Sequence, residues 1–210
     1  MHLLVGLGNP GSKYSGNRHN VGFMAVNEIH RRYACPPYRA KFQGEVSEAN
    51  IGGDKVLLLK PSTYMNESGS SVGEAARFYK IEPADVIVIH DEIDLAAEKV
   101  RVKEGGGLAG HNGLKSIASQ IGQDFWRVRI GVGHPGKKDR VSRHVLNDFS
   151  KADMVWVEKT LDAIAETIPA LIQGDGKEFT NKLGLILTPP RPKNKKPEEA
   201  SEDPSSDESI

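Results

Sequence analysis

The sequence has a single cysteine in 210 residues, no long apolar run and no net charge. Each absence excludes something. With Cys35 alone there is no internal disulfide framework and no cysteine cluster for zinc, which fits a reducing compartment. A packed, functionless thiol is expected there. No apolar run approaches the roughly 18 residues of a membrane span, and the N-terminus enters a strand-like segment without a cleavable signal. A soluble, cytosolic protein is expected. No internal repeat is visible. The 28 basic and 28 acidic residues cancel, but residues 188–210 hold four basic and six acidic ones, which leaves 24 against 22 in the body, about +2. So small a surplus does not by itself argue for nucleic-acid binding; position has to carry that argument.

What is present is an alternation of strand-like and helical segments, in a length that suits one sizeable domain plus some extra sequence. A short apolar strand at residues 3–7 runs into a turn rich in glycine and asparagine, then a helix with Val21, Met24, Ala25 and Ile29 at helical spacing that ends by Pro36 and Pro37. Residues 41–49 and 55–59 read as a hairpin about Gly52, Gly53 and Asp54. A loop at 60–66 leads to a helix from Glu67 through Tyr79. The branched run 86–89 reads as a strand buried on both faces, followed directly by His90, Asp91, Glu92 and Asp94. A strand at 99–103, a glycine-rich loop, an amphipathic helix and an alternating strand at 125–132 come next. The last apolar stripe, Met154 to Leu171, contains Pro169, which should kink or split its helix. Residues 1–187 are therefore read as one α/β domain with a mixed, largely parallel sheet and helices on both faces. Residues 188–210, with almost no core-forming side chains, are read as a disordered charged tail.

Three motifs invite misreading. Gly6-x-Gly8-x-x-Gly11 matches a dinucleotide fingerprint, with Glu28 near the offset of a ribose-binding acid. Pro10 and the late helix start argue against it, as does Glu28 lying inside that helix. Gly69-Ser70-Ser71-Val72-Gly73 fits a nucleophile elbow, with Asp91 and His111 following in serine-hydrolase order. An elbow must leave a strand abruptly, whereas these serines open a helix. His19, His90, Asp91 and His111 could suggest a metal, but no close histidine pair falls on one helix, so no metal is expected.

What remains is Asn9, His19, Asn66, Asp91, His111 and Asn112, six groups placed at loops flanking strands or helix starts on one sheet edge. A helix N-terminus would keep His19 neutral and able to take a proton. Asp91 could hold its other ring nitrogen and stabilise the imidazolium formed during reaction.

Five segments in order, VGLGNPGSKYSGNRHN, KPSTYMNESG, HDEIDL, GGGLAGHNGLKSI and RVRIGVGHPG, resemble the bacterial peptidyl-tRNA hydrolase family over residues 3 to about 187. The resemblance implies a monomeric α/β fold with a twisted mixed sheet and hydrolysis of the ester between a peptide and the 3′ ribose of tRNA, recycling tRNA from prematurely released chains. It implies His19 as the base for water, Asp91 as its orienting carboxylate and Asn9 at the reacting ester. Asn66 and Asn112 would hold the peptide main chain and the ribose end. Tyr14, Met65 and His111 would line the pocket. Lys103 and Arg129 would grip the 5′ phosphate of the tRNA, helped by Arg101 and Arg127. No cofactor is implied. The resemblance also implies that residues 133–148 cover the cleft.

The chemistry is consistent with this. An ester can be cleaved by a positioned water, a general base and one oxyanion donor, with neither metal nor covalent nucleophile. Asparagine amides suit a peptide backbone because each donates and accepts without reading side-chain identity. Two alternatives stand beside it: a non-catalytic RNA-binding protein on the same fold, of the organellar intron-splicing type, and a serine esterase.

Overall fold

The computed structural model describes residues 1–188. The proposed tail lies outside the described residues apart from Thr188. Seven strands form one sheet: β1 (His2–Gly6), β2 (Arg39–Lys41), β3 (Gly44–Ile51), β4 (Asp54–Pro61), β5 (Val86–Glu92), β6 (Val100–Glu104) and β7 (Trp126–Gly131), in the order β2-β3-β4-β1-β5-β7-β6. The expected largely parallel character belongs to the four central strands, where β4–β1, β1–β5 and β5–β7 are parallel. The β2–β3, β3–β4 and β7–β6 pairs are antiparallel, so the sheet as a whole is evenly mixed.

Helices cover both faces. On one lie α1 (Val21–Arg32), α5 (Lys151–Ile172) and α6 (Gly176–Leu187), packed on Leu4, Leu58, Ile87, Ile89, Val128 and Ile130. On the other lie α2 (Ser68–Tyr79) and α3 (Asn112–Ile121), packed on Leu3, Val5, Leu57, Leu59, Val86 and Val88. The alternation of these side chains is the two-residue period of strands buried on both sides. Each such residue contributes about 1.5–3 kcal/mol on burial.

Three boundaries differ from those expected. The central strand β5 continues through His90 and Asp91 to Glu92, because Asp91 and Glu92 keep pairing with Ile130 and Gly131 of β7. The last stripe, Met154 to Leu171, lies wholly in α5, which stops at Ile172, and a further helix, α6, begins after the Asp175 cap, whose side chain accepts from the Glu178 N–H. Pro169 does not split α5. Proline has no N–H to offer the carbonyl four residues earlier, and the Tyr33 hydroxyl donates to that Ala165 carbonyl instead, at 3.0 Å.

The glycines of the first turn provide clearance. A Cβ on Gly22 would collide with backbone atoms of Ile89 and Leu7, and one on Gly6 with the backbone of Gly22. Helix α1 therefore crosses β1 backbone to backbone, which sets the residue before it, Asn20, and then His19 against the ends of β1 and β5.

Candidate active site

Asn9 follows β1, where Leu7 still donates its N–H to the Ile89 carbonyl at 3.0 Å. Asn20 holds it. The Asn20 Oδ1 accepts from the Asn9 N–H at 3.0 Å, and its Nδ2 donates to the Asn9 carbonyl at 2.9 Å. The Asn9 Oδ1 in turn accepts from the Met65 N–H at 2.8 Å. With that oxygen occupied, the Nδ2 of Asn9 is the end left to act as a donor.

His19 and His111 reach Asp91 from opposite sides. The His19 Nδ1 donates to Asp91 at 2.8 Å from Oδ1 and 3.0 Å from Oδ2. The His111 Nε2 donates to the same Oδ1 at 3.1 Å, while its Nδ1 accepts from the Leu114 N–H as the cap of α3. Both nitrogens of His111 are thus used in its neutral form, whereas His19 keeps a lone pair on Nε2. Asp91 is buried. Burial alone would raise its pKa, but the charges and hydrogen bonds of His19 and His111 outweigh that and hold the carboxyl well below its ordinary range.

Behind this pair the buried His90 donates from Nδ1 to the Asp91 carbonyl at 2.7 Å. Burial, with His111 beside it, pushes its pKa down to about 3, so the ring is neutral. The ligand atoms of His19, Asp91 and His111 lie within 4.8 Å of one another. A metal there would need lone pairs where the two rings now direct protons at the carboxylate, so the hydrogen bonding fits a proton-transfer site better than a metal site.

These groups open into a cleft of about 740 Å³ whose walls include Asn9, His19, Met65, Asn66, His111 and Asn112. Its roof is the segment 133–148, containing α4 (Val141–Val145), which contributes His134, Lys138, Val141 and Leu146. The roof is tied at both ends. The His144 Nε2 bonds the Val132 carbonyl at 3.0 Å. Arg18 Nη1 donates to the Asn147 and Asp148 carbonyls at 3.2 and 2.9 Å, and Asn17 Nδ2 to the Asp148 carboxylate at 2.6 Å. The residues just before His19 therefore hold the roof.

A profile described as Peptidyl-tRNA hydrolase matches residues 3–191. The chain belongs to this family. Among its relatives, the peptidyl-tRNA hydrolase of Parvibaculum lavamentivorans is 58% identical over 204 residues, 97% of this chain and 100% of that protein. That of Cereibacter sphaeroides strain KD131 is 57% identical over 192 residues, 91% of this chain and 85% of that one. The crystal structure of peptidyl-tRNA hydrolase from Acinetobacter baumannii superposes with a TM-score of 0.83 at 42% identity, covering 87% of this chain and 94% of that one.

Within this peptidyl-tRNA hydrolase fold the expected residues divide. Asn9, His19, Met65, Asn66, Asp91, His111 and Asn112 share the cleft. Tyr14 does not line it; it sits in a short 3₁₀ turn with Lys13 stacked on its ring. Lys103 and Arg129 lie on the outer strands β6 and β7, where Arg101 pairs with Arg129 and Lys103 with Arg127, all on one sheet face. The Nε of Arg129 bonds Glu92 at 3.0 Å. Arg127 is not available as a phosphate helper, because it is buried and donates to the carbonyls of Gly106 and Gly107.

The serine-esterase alternative fails on position. Ser71 lies inside α2, fully buried, with no partner for its hydroxyl among the described residues. Nor is Glu28 at a ribose site; it pairs with Arg31 on its own helix. Sequence reasoning missed Asn20 and Arg18, although both flank His19 in the same motif. Their partners are 11 residues away for Asn20 and about 130 for Arg18, and no local spacing reports them.

Proposed function

We propose that this protein hydrolyses the ester joining a peptide to the 3′ ribose of tRNA, with His19 as general base. The observation that supports this most is the Nδ1–Asp91 hydrogen bond of 2.8 Å, which commits one ring nitrogen and leaves Nε2 basic at the cleft. Water attacks the ester carbonyl carbon as Nε2 takes its proton. The Asp91 carboxylate stabilises the imidazolium. Negative charge collects on the carbonyl oxygen, where Asn9 Nδ2 donates. Collapse expels the ribose 3′ oxygen, which receives the proton from His19. The products are a peptide carboxylate and tRNA with a free 3′ hydroxyl.

Asn66 and Asn112 act on the peptide main chain and the ribose end, with Met65 and His111 as walls. Lys103 and Arg129 grip the 5′ phosphate, a reading supported by their shared face on the outer strands β6 and β7. The protein acts as a cytosolic monomer, without metal or cofactor. No helix among the described residues is long and apolar enough to cross a membrane.

The decisive experiment compares hydrolysis of an N-blocked aminoacyl-tRNA with its unblocked form. Rapid release from the blocked substrate and little from the free one is expected. Equal rates would reject peptidyl-tRNA as the substrate class.

A further inference from the structure

A second cavity of about 330 Å³ adjoins the cleft and has no part in the chemistry described. It lies on the opposite side of Asn9, which lines both, and its other walls include Ser12, Phe23, Asn27, Lys60 and Ser62. Its size is within the range of small-ligand sites, about 300–1,000 Å³. Asn27 projects from α1, and Ser12 and Ser62 lie at the exposed ends of the first turn and of β4. The ring of Phe23 supplies an apolar wall. At the far end Lys60 pairs with Glu45 at 2.9 Å.

We infer that this cavity receives the second and third residues of the nascent peptide, counted from the ester. The inference rests on the proposed reading of peptidyl-tRNA as substrate. Sheet order supplies the direction. Lys103 and Arg129 lie on the β7–β6 side of β1, while the cavity lies on the β4–β3 side. A linear substrate whose tRNA arrives from the first side and whose ester sits at Asn9 carries its peptide towards the second. Distance agrees as well. An extended chain advances about 3.3 Å per residue and strands stand about 4.8 Å apart, so the first residue stays in the cleft and the next two cross to β4.

The wall chemistry suits that occupant. Hydroxyls and a carboxamide pair with main-chain groups of any sequence, and Phe23 accepts apolar side chains without demanding one. Binding energy gained away from the reacting bond can be used to position it, so longer peptides should be better substrates.

The test measures kcat/KM on N-acetyl-aminoacyl-tRNA and on N-acetylated tetrapeptidyl-tRNA. The unaltered protein should prefer the longer substrate. Asn27→Trp, which fills the cavity from an exposed helix position, should lower the rate on the longer substrate by about tenfold and leave the one-residue substrate unchanged. Asn27→Ala should retain most of the preference. Ser62→Trp, from the opposite wall, must give the same length-selective loss. Undiminished preference in both tryptophan variants, or parallel losses on both substrates, overturns the subsite while leaving the hydrolase reading intact. Hydrolysis of neither substrate by the unaltered protein would reject that reading itself.

Discussion

The Oδ1 of Asp91 accepts from two imidazoles, from His19 Nδ1 at 2.8 Å and from His111 Nε2 at 3.1 Å. One buried oxygen thus orients the proposed base and also anchors the start of α3, where Asn112 enters the cleft. The two rings stand 5.1 Å apart, centroid to centroid.

Replacing His19 with alanine should lower kcat by about 10² to 10⁴ while tRNA affinity is kept. Single-turnover hydrolysis and filter binding on the same preparation check both halves. A near-normal kcat would remove the general-base mechanism.

Asn20 has its effect through Asn9. Asn20→Ala deletes both hydrogen bonds to the Asn9 backbone in a buried site, which should cost about 1–3 kcal/mol of stability for each group left unpaired, read from denaturant unfolding. At a temperature where the variant is folded, kcat should fall more than KM rises, because the proposed role of the Asn9 donor is to stabilise the transition state and not bound substrate.

Arg127 secures the loop before His111. It donates to the Gly106 and Gly107 carbonyls, and its Nε has no partner among the described residues. Arg127→Met should lower kcat and raise hydrogen exchange across residues 105–112. Arg127→Lys should not restore either, since an ammonium cannot reproduce the planar fork.

Lys103 and Arg129 are expected to meet phosphate. Changing either to alanine should weaken tRNA binding and reduce the slope of log K against log salt by about 0.7–0.9. An unchanged slope would place the phosphate elsewhere.

His90 makes stability depend on pH. Its pKa is about 3 in the folded protein against 6.5 for an ordinary histidine, chiefly through burial. Below pH 6.5 the unfolded chain takes up a proton that the folded one refuses. This contribution is therefore fully present above 6.5 and is lost progressively as pH falls towards 3. His90→Asn, which can still donate to the Asp91 carbonyl, should show a flatter fall of Tm between pH 7 and 5. Asp91 acts in a lower window, since its stabilisation is present above its ordinary pKa of 3.8 and is lost as pH falls below it.

Much of this was legible in the sequence, for a local reason. Apolar periodicity marks β1, β5, α1 and α2 because burial of a face imposes a repeat of two or 3.6 residues. The proposed site residues sit at the ends of those elements, so finding the elements places Asn9, His19 and Asn112 near one edge. Asp91 is expected just beyond a strand; pairing with β7, far along the chain, draws it into β5. No helix is expected from the sequence after Leu171, yet α6 packs Phe179 and Leu183 into the same core as α5.

The sequence by itself determined the alternating elements, the family and the identity of the groups that gather at the strand ends. Tertiary structure alone decided which of them touch. It joined Asp91 to two histidines, buried Arg127 under a loop, left Tyr14 outside the cleft and replaced the missing N–H of Pro169 with the hydroxyl of Tyr33. The physical reason is that hydrogen-bond partners and burial depend on packing between elements distant in the chain, which carries no periodic signature along it.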